Sequence, residues 1–233
     1  IAVSGLSYRY DDGDAPVFEN LSLRVAEGEI VALMGANGAG KTTLARLLCA
    51  LDRPSAGSIT VAGLPVASSK HGKRPRALTR KERAALRRNV GYVMQHPERQ
   101  LFADTVAEDV AYGPRNQGLG ETEVADRVRE SLELLHIGHL ADRSPFDLSG
   151  GQQRLAAIAG VLAMEPECIV LDEATAMLDP VGRRETVDTI RTLNEKYGIT
   201  VILITHHMDE AAQAQRLIVM AGGHIIDDGP PTE

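Results

Sequence analysis

The stretch GANGAGKTT, residues 35–43, constrains this chain more than any other feature. The apolar run at residues 30–34 predicts a buried strand before it, and residues 44–48 predict the opening turns of a helix after it. A glycine loop between a strand and a helix is the context in which the GxxxxGK[ST] pattern binds phosphate. The glycines let the chain turn so that successive backbone N–H groups point at one anion. The sequence therefore predicts a phosphate-binding loop.

Different residues of this loop are predicted to form the turn, to bind the phosphates and to bind the metal ion. The loop glycines supply the turn, the Lys41 ammonium reaches the β and γ phosphates, and the Thr42 hydroxyl binds Mg²⁺. The alternative is a glycine-rich turn that matches the pattern by chance, which the flanking strand and helix disfavour. The predicted nucleotide-binding residues of the loop are Gly35, Asn37, Gly38, Ala39, Gly40, Lys41, Thr42 and Thr43.

The length and composition of the chain limit the number of domains and the classes of partner that are expected. A chain of 233 residues can bury one good core, so a single domain is expected. A net charge of -7 argues against a general nucleic-acid surface, and 3% aromatic residues with no tryptophan provide no stacking platform for bases. The longest apolar run, residues 155–164, is too short to span a bilayer. Cys49 and Cys168 lie in apolar surroundings and are expected to be reduced core thiols, which fits a reducing cytosol.

Two carboxylates follow the apolar run at residues 168–171, which predicts a buried strand. Open α/β sheets bind ligands at the carboxyl ends of their strands. Asp172 is therefore predicted to hold Mg²⁺, and Glu173 to orient or deprotonate an attacking water. The alternative is a pair of ordinary surface acids at a strand end.

Polar residues also end other predicted strands. Gln95 follows the strand at residues 90–94, where an amide can hydrogen-bond water or a metal ligand. His206 follows the apolar strand at residues 200–204 and is positioned to contact a γ-phosphate, although a lone histidine is more often structural. Tyr10, near the end of an alternating strand, is a candidate to stack on adenine; the alternative is a tyrosine that packs on the sheet.

A second candidate anion site lies at residues 148–152, with the sequence LSGGQ. Ser149 is predicted to cap a helix that continues through residue 164, and Gly150 and Gly151 open that helix. Because the chain already has one phosphate loop, a second site without its own strand suggests a nucleotide shared between two chains. The alternative is a plain serine-capped helix.

The hydrophobic pattern predicts an α/β fold with a mostly parallel sheet, because strands alternate with helices at residues 121–135 and 180–197. The alternating segments 3–9, 21–25 and 57–61 predict an antiparallel β layer, and residues 217–226 predict a closing hairpin. Residues 70–88 hold nine lysines and arginines against the single acid Glu82. They are interpreted as a solvated loop and a polar helix face, with attraction to anionic lipid as the alternative.

In their order and spacing these motifs resemble the nucleotide-binding subunit of ATP-binding cassette (ABC) transporters over nearly the whole chain. The resemblance implies a P-loop NTPase core of the RecA-like type, an antiparallel β subdomain, and a helical signature subdomain at roughly residues 96–163. It also implies ATP and Mg²⁺ as ligands and a head-to-tail dimer, with an identical or paralogous partner cassette. The residues that match the family's motifs are Tyr10 (A-loop), Gln95 (Q-loop), Ser149, Gly150, Gly151 and Gln152 (signature), Asp179 (D-loop) and His206 (switch). By this resemblance Lys41, Gln95, Glu173 and His206 are catalytic, while Thr42, Gln95 and Asp172 bind the metal.

Within that family, residues 95–116 and the segments DEATAMLDP and ITHHMDEA look like the A-components of energy-coupling factor transporters. These subunits work at the cytoplasmic face of the membrane and import vitamins or transition-metal ions through a membrane T-component and a substrate-binding S-component. DEATAMLDP is more like the first of the two A-component paralogues and QLF more like the second, so both remain open. The alternative function is a soluble cassette ATPase that acts on DNA or the ribosome.

Overall fold

The computed structural model describes residues 1–11, 15–69, 74–176 and 178–231. The strands are β1 (Ala2–Tyr8), β2 (Phe18–Arg24), β3 (Ile30–Gly35), β4 (Ala56–Val61), β5 (Leu64–Ser68), β6 (Val90–Val93), β7 (Cys168–Asp172), β8 (Thr200–Ile204), β9 (Arg216–Ala221) and β10 (His224–Gly229). The helices are α1 (Lys41–Leu48), α2 (Arg80–Asn89), α3 (Val106–Asn116), α4 (Glu121–Leu134), α5 (Gly150–Leu162), α6 (Pro180–Tyr197) and α7 (Met208–Ala211). Three 3₁₀ turns lie at Pro97–Gln100, Gly138–Leu140 and Pro145–Asp147.

A six-stranded sheet in the order β10-β9-β3-β8-β7-β6 forms the centre of the fold. All neighbouring pairs in it are parallel except β10 with β9, which form the predicted hairpin. Every residue of β7 and β8 is buried, as expected for strands covered on both faces. Because parallel strands share one direction, the carboxyl ends of β3, β6, β7 and β8 meet at one edge of the sheet. The predicted α/β fold with a mostly parallel sheet is confirmed.

A second sheet, antiparallel and in the order β2-β1-β4-β5, is the predicted β layer. Its apolar side chains and those of α1 form one hydrophobic cluster with one face of the large sheet. Phe18, Leu6, Leu44 and Leu47 are among its fully buried members. The helix that follows the phosphate loop is therefore fixed by two sheets, which makes its amino-terminal end a rigid part of the fold.

Helices α3, α4 and α5 pack on one another and, with apolar residues of β7 and β8, form the second hydrophobic cluster. The predicted amphipathic face of α4 is buried through Val124, Val128 and Leu132. Both α4 and α5 end one or two residues before the predicted positions, at Leu134 and Leu162. These differences lie within the uncertainty of any helix boundary.

The second half of the basic stretch lies in α2, whose first turn is closed by a capping box between Thr79 and Glu82. Five cations of this helix are exposed (Arg80, Lys81, Arg83, Arg87 and Arg88), as the interpretation of a polar helix face requires. Residues 70–73 of the stretch lie outside the described residues. An affinity for anionic lipid remains a prediction.

Both cysteines are free thiols, as predicted. Cys168 is buried, and burial raises its pKa to about 12. Cys49 packs against the first cluster, and burial raises its pKa as well. Across the described ranges, no helix is both long and apolar enough to cross a membrane.

Candidate active site

The phosphate loop connects the end of β3 to the start of α1, and close packing fixes both of its ends. Gly35 has a φ of 147°, and a Cβ atom there would lie 2.1 Å from the Met220 carbonyl oxygen. Gly40 caps α1 with a φ of 101°, and a Cβ atom there would lie 2.5 Å from Cε1 of Phe18. Ala36, Asn37 and Gly38 are exposed at the tip of the loop. The first N–H groups of α1 are consequently available beside the loop to bind an anion.

Lys41 lies inside the loop, with only 6% of its surface exposed. Its ammonium donates to the carbonyl oxygens of Gly35 at 2.7 Å and Ala36 at 3.1 Å. Burial lowers the pKa of Lys41, while the charges of Glu173 and Asp172 oppose that effect. A phosphate oxygen that entered the loop could replace one of the two carbonyls as the acceptor.

Asp172 is fully buried at the end of β7, and its carboxylate is held from two sides. Thr42 donates its hydroxyl to Oδ1 at 3.2 Å, and Tyr92 donates its hydroxyl to Oδ2 at 3.1 Å. Burial raises the pKa of Asp172, and the two hydrogen bonds oppose the increase. Tyr92 was not predicted; the signal for it was a single hydroxyl in the otherwise apolar strand β6.

The adjacent oxygens of Thr42 and Asp172 fit a magnesium ion, which prefers hard oxygen ligands and usually takes only one or two from protein carboxylates. Within the described part of the chain, no three His, Cys, Asp or Glu side chains form a group that could hold a metal ion. A magnesium ion at Thr42 and Asp172 would therefore need water and phosphate oxygens to complete its coordination.

Glu173 is the meeting point of three predicted catalytic residues that follow three different strands. Its Oε2 accepts a hydrogen bond from Gln95 Nε2 at 3.0 Å, and its Oε1 lies 2.6 Å from His206 Nε2. The Glu173 backbone is in the left-handed region, with a φ of 50°, and its N–H donates to the Ile204 carbonyl at 3.0 Å. The structure thus brings Gln95, Glu173 and His206, each predicted to follow a strand, into one cluster.

Arg154 also contacts this cluster, and it was not predicted from the sequence. It is 3% exposed in the second turn of α5. Its guanidinium donates to the backbone carbonyl of Glu173 at 3.0 Å and to that of Gln95 at 3.3 Å. The signal that could have identified Arg154 is a charged residue at the start of a long apolar run.

The LSGGQ segment lies at the amino-terminal end of α5, where Ser149 and Gly150 are exposed, and Ser149 is the N-cap as predicted. Ser149 Oγ accepts from the Gln152 N–H at 3.3 Å, and Gln152 Oε1 accepts from the Ser149 N–H at 3.0 Å. This capping box is the S-x-x-Q pattern, which was readable in the sequence. Gly150 and Gly151 lie between the two capping residues. The role of this helix end in binding a second nucleotide remains a prediction.

Tyr10 is 58% exposed and lies beside the first turn of α1. Its hydroxyl is 2.7 Å from Thr43 Oγ1, and its ring packs edge-on against Tyr8 at a centroid distance of 5.2 Å. Tyr8 is buried in the sheet, so it takes the packing role that was the alternative for Tyr10. An exposed ring next to the phosphate loop is compatible with stacking on adenine, which remains a prediction.

Asp179 lies at the exposed start of α6, where its carboxylate accepts from the Gly182 N–H at 2.7 Å as the N-cap. Pro180 occupies the first helical position, as predicted. Between Glu173 and Asp179, the Thr175 hydroxyl donates to the buried carboxylate of Glu210 at 2.6 Å. The segment after β7 is thereby attached to α7, the helix that follows His206. A contact of Asp179 with nucleotide remains a prediction.

Comparison with known sequences gives one family. Residues 18–176 match the family described as ABC transporter. A putative ABC transporter ATP-binding protein of Bifidobacterium longum, BL0043, is 63% identical over 236 residues, which is 100% of this chain and 30% of that protein. The energy-coupling factor transporter ATP-binding protein EcfA1 of Symbiobacterium thermophilum is 47% identical over 242 residues, which is 100% of this chain and 80% of EcfA1.

Comparison with solved structures supports the same family assignment. The cbiO1 protein of Clostridium perfringens, described as part of the ABC transporter complex cbiONQ, superposes with a TM-score of 0.84 at 36% identity, over 99% of this chain and 88% of cbiO1. A dimer of the ATP-binding cassette MJ0796 bound to ADP and Pi superposes with a TM-score of 0.87 at 25% identity, over 100% and 99% of the two chains. The chain therefore belongs to the ABC transporter family as an ATP-binding ATPase domain, and over its whole length it resembles the ATP-binding subunits of energy-coupling factor transporters.

Proposed function

We propose that this chain is the ATP-hydrolysing subunit of an energy-coupling factor importer. In this proposal it dimerises head to tail on ATP at the cytoplasmic face of the membrane. It then drives uptake of a vitamin or a transition-metal ion through a T-component and an S-component. The observation that carries the proposal is Glu173, held between Gln95 at 3.0 Å and His206 at 2.6 Å beside the phosphate loop.

Phosphoryl transfer requires mainly positioning and neutralisation of charge. Lys41 and the amino-terminal N–H groups of α1 supply positive charge to the β and γ phosphates. Thr42 and Asp172 would hold Mg²⁺, which when bound supplies further positive charge to the phosphate oxygens. Asp172 is buried and fixed by two hydroxyls, so its carboxylate is oriented before the ion binds.

Glu173 is proposed as the residue that accepts a proton from the attacking water. The Gln95 amide donates to one of its carboxylate oxygens, Oε2, and His206 lies beside the other, Oε1. When His206 Nε2 carries the proton, it bonds to that second oxygen at 2.6 Å. With ATP bound, His206 would turn this donor to the γ-phosphate and release Glu173 Oε1 for the water.

The dimer is proposed from the division of the site into two halves. Residues 149–152 present an exposed helix end, and among the described residues no hydrogen bond joins them to the phosphate loop of the same chain. A helix end that faces outward can bind the phosphates held by a second chain. The dimeric MJ0796 cassette supports an assembly of two such chains. The head-to-tail arrangement would place residues 149–152 of one chain over Lys41 of the other.

The membrane partner is proposed to dock beside the segment that follows Gln95. Phe102 and Tyr112 are both more than half exposed, and their rings pack edge-to-face at a centroid distance of 4.8 Å. Asp109 orders the loop by accepting from the N–H groups of Phe102 at 2.7 Å and Ala103 at 2.9 Å. An ordered, exposed aromatic pair suits a helix of the T-component, and the description of cbiO1 as part of the cbiONQ complex supports a partner of that type.

Replacement of Glu173 by Gln tests the catalytic part of the proposal. The amide keeps the shape of the side chain but cannot accept the proton, so we expect kcat to fall about 100- to 10,000-fold with ATP binding retained. Light scattering should detect a dimer that persists in Mg-ATP. Glu167→Gln makes the same change in charge at the other end of β7 and should leave turnover unchanged. Wild-type turnover in Glu173→Gln would refute the assignment of Glu173.

Co-purification from membranes tests the transport part. We expect the protein to co-purify with an integral membrane T-component, and replacement of both Phe102 and Tyr112 by Ser to release it while ATPase activity persists. Pelleting with ribosomes, without any membrane partner, would contradict the importer assignment.

A further inference from the structure

Arg154 is a buried cation whose guanidinium contacts backbone atoms of the catalytic cluster. Its guanidinium bridges the carbonyl oxygens of Glu173 at 3.0 Å and Gln95 at 3.3 Å. These are the two residues whose side chains are hydrogen-bonded to each other at 3.0 Å. Arg154 therefore fixes the backbone positions from which both side chains extend.

The hydrogen bond from Arg154 to the Glu173 carbonyl reaches a residue with an unusual backbone conformation. Glu173 has a φ of 50°, a conformation that non-glycine residues adopt only when their surroundings hold them in it. Its carbonyl accepts from Arg154 and from the Ala176 N–H at 3.1 Å, while its own N–H donates to Ile204. Without Arg154, one of the bonds that hold this conformation disappears, and the direction of the Glu173 side chain is less defined.

Arg154 also lies on the helix that carries the exposed LSGGQ end. It is five residues after the N-cap Ser149, which corresponds to about 7.5 Å along the axis of an α-helix. The capping box fixes the start of the helix, and α5 is buried among α3 and α4 along the rest of its length. A displacement of the Ser149 end must therefore move Arg154 and, through it, the carbonyls of Glu173 and Gln95.

We propose that Arg154 is a positioning residue that transmits contact at the LSGGQ end of one chain to the Glu173 of that same chain. This inference rests on the proposed head-to-tail dimer, in which the LSGGQ end of each chain binds the nucleotide held by its partner. Binding of ATP to the partner would then align the residue that acts on the chain's own ATP. The two nucleotides of the dimer would be hydrolysed cooperatively, and Arg154 would be the link.

Replacement of Arg154 by Met and by Lys in the full chain tests the link. Methionine removes both hydrogen bonds, and lysine keeps the charge but can reach only one carbonyl. For Arg154→Met we expect kcat to fall about 10- to 100-fold, as a displaced catalytic group allows, with KM for ATP within about twofold of the wild type. The Hill coefficient for ATP should fall from near the two-site limit of about 2 to about 1. For Arg154→Lys we expect kcat and the Hill coefficient to lie between the values of Arg154→Met and those of the wild type.

Gln117→Met is the matched control. Gln117 donates from a side-chain amide to the Met164 carbonyl at 2.9 Å, just beyond the far end of α5, and touches no catalytic residue. Its loss should lower the unfolding temperature but leave kcat and the Hill coefficient unchanged. If a general loosening of α5 caused the effects of Arg154→Met, Gln117→Met would lower kcat and the Hill coefficient as well. If Arg154→Met does not fold, Arg154→Lys decides the question by the same two quantities.

The outcomes separate this inference from the function on which it rests. A wild-type chain that fails to hydrolyse ATP or to dimerise with it contradicts the proposed function. A wild type that hydrolyses ATP with a Hill coefficient of about 1 overturns the inference alone. The inference is also overturned if an Arg154 variant loses turnover but keeps the wild-type Hill coefficient. It is overturned as well if the variant keeps both the wild-type turnover and the wild-type Hill coefficient.

Discussion

Tyr92 offers a sharp test of the proposed Mg²⁺ site, because its hydroxyl contacts Asp172, the carboxylate proposed to hold the ion. Its hydroxyl donates to Asp172 Oδ2 at 3.1 Å, while Thr42 bonds to Oδ1 at 3.2 Å. Replacement of Tyr92 by Phe removes one of these two bonds and leaves the ring that packs in the core. The buried carboxylate then loses its orientation on one side only.

The expected effect of Tyr92→Phe on Mg²⁺ affinity can be worked out from the hydrogen bond that the buried Asp172 carboxylate loses. A hydrogen bond to a charged group contributes about 1.5–3 kcal/mol, and each 1.4 kcal/mol is a factor of about ten in affinity. We therefore expect the Mg²⁺ concentration for half-maximal ATPase activity to rise about 10- to 100-fold, the range found for other residues that support metal ligands. The Tyr92 bond also opposes the increase in pKa that burial causes at Asp172. Its loss should raise the pKa of Asp172 further, so the acidic limb of Mg²⁺ activation should move to higher pH.

The assay is the initial rate of phosphate release at fixed ATP, titrated with Mg²⁺ over a series of pH values. Tyr197→Phe, a change of the same atoms on an exposed ring far from Asp172, should reproduce the wild-type titration. Thermal unfolding of each variant separates an effect on the site from an effect on the fold. If Tyr92→Phe is activated by the same Mg²⁺ concentration as the wild type, Asp172 is not the metal-binding residue that the geometry suggests.

Two further predictions concern stability. Gly35→Ala should cost about 3 kcal/mol or more in the free energy of unfolding, because its Cβ would lie 2.1 Å from a carbonyl oxygen of β9, whereas Gly38→Ala, with open space around it, should cost about 1 kcal/mol. Equal losses of unfolding temperature in these two variants would contradict the packing argument. Asp228→Asn should cost about 0.5–1 kcal/mol at neutral pH, since Arg216 bonds to this half-exposed carboxylate at 2.5 and 2.7 Å and lowers its pKa. Because the folded-state pKa is lowered, the contribution is complete above about pH 4 and is lost as the pH falls through the lowered value, so denaturant titrations of wild type and variant should converge in acid.

The sequence predicted those elements of the fold that are strongly patterned by burial. Strands β7 and β8 are apolar at almost every position because both faces are covered, and α4 repeats an apolar residue at helical spacing. Strand β5 escaped prediction because Pro65 argues against a strand, although a proline is tolerated here at the edge of the sheet. Helix α3 escaped because Gly113 and Pro114 interrupt its pattern, and Pro114 lies inside the helix, where it cannot donate a backbone hydrogen bond.

The positions of candidate site residues could be predicted where a motif lies at a strand end, whereas contacts that are purely tertiary were missed. Lys41, Asp172 and Glu173 could be assigned because a local pattern fixes both their chemistry and their position. Tyr92 and Arg154 could not, since each acts by reaching a residue that is distant in the sequence. Nothing in the residues around either side chain determines its partner.

The backbone of Glu173 is the clearest case of a functional property that no motif contains. The sequence states that a glutamate follows Asp172, and an extended chain would send its side chain to the opposite face of the sheet. A φ of 50° turns the chain instead, so that the carboxylate meets Gln95 and His206. That turn is held by Ile204 from one neighbouring strand and by Arg154 from helix α5. The position of the proposed base therefore depends in part on the packing of α5 against the sheet, so a displacement of that helix would change the geometry of Glu173.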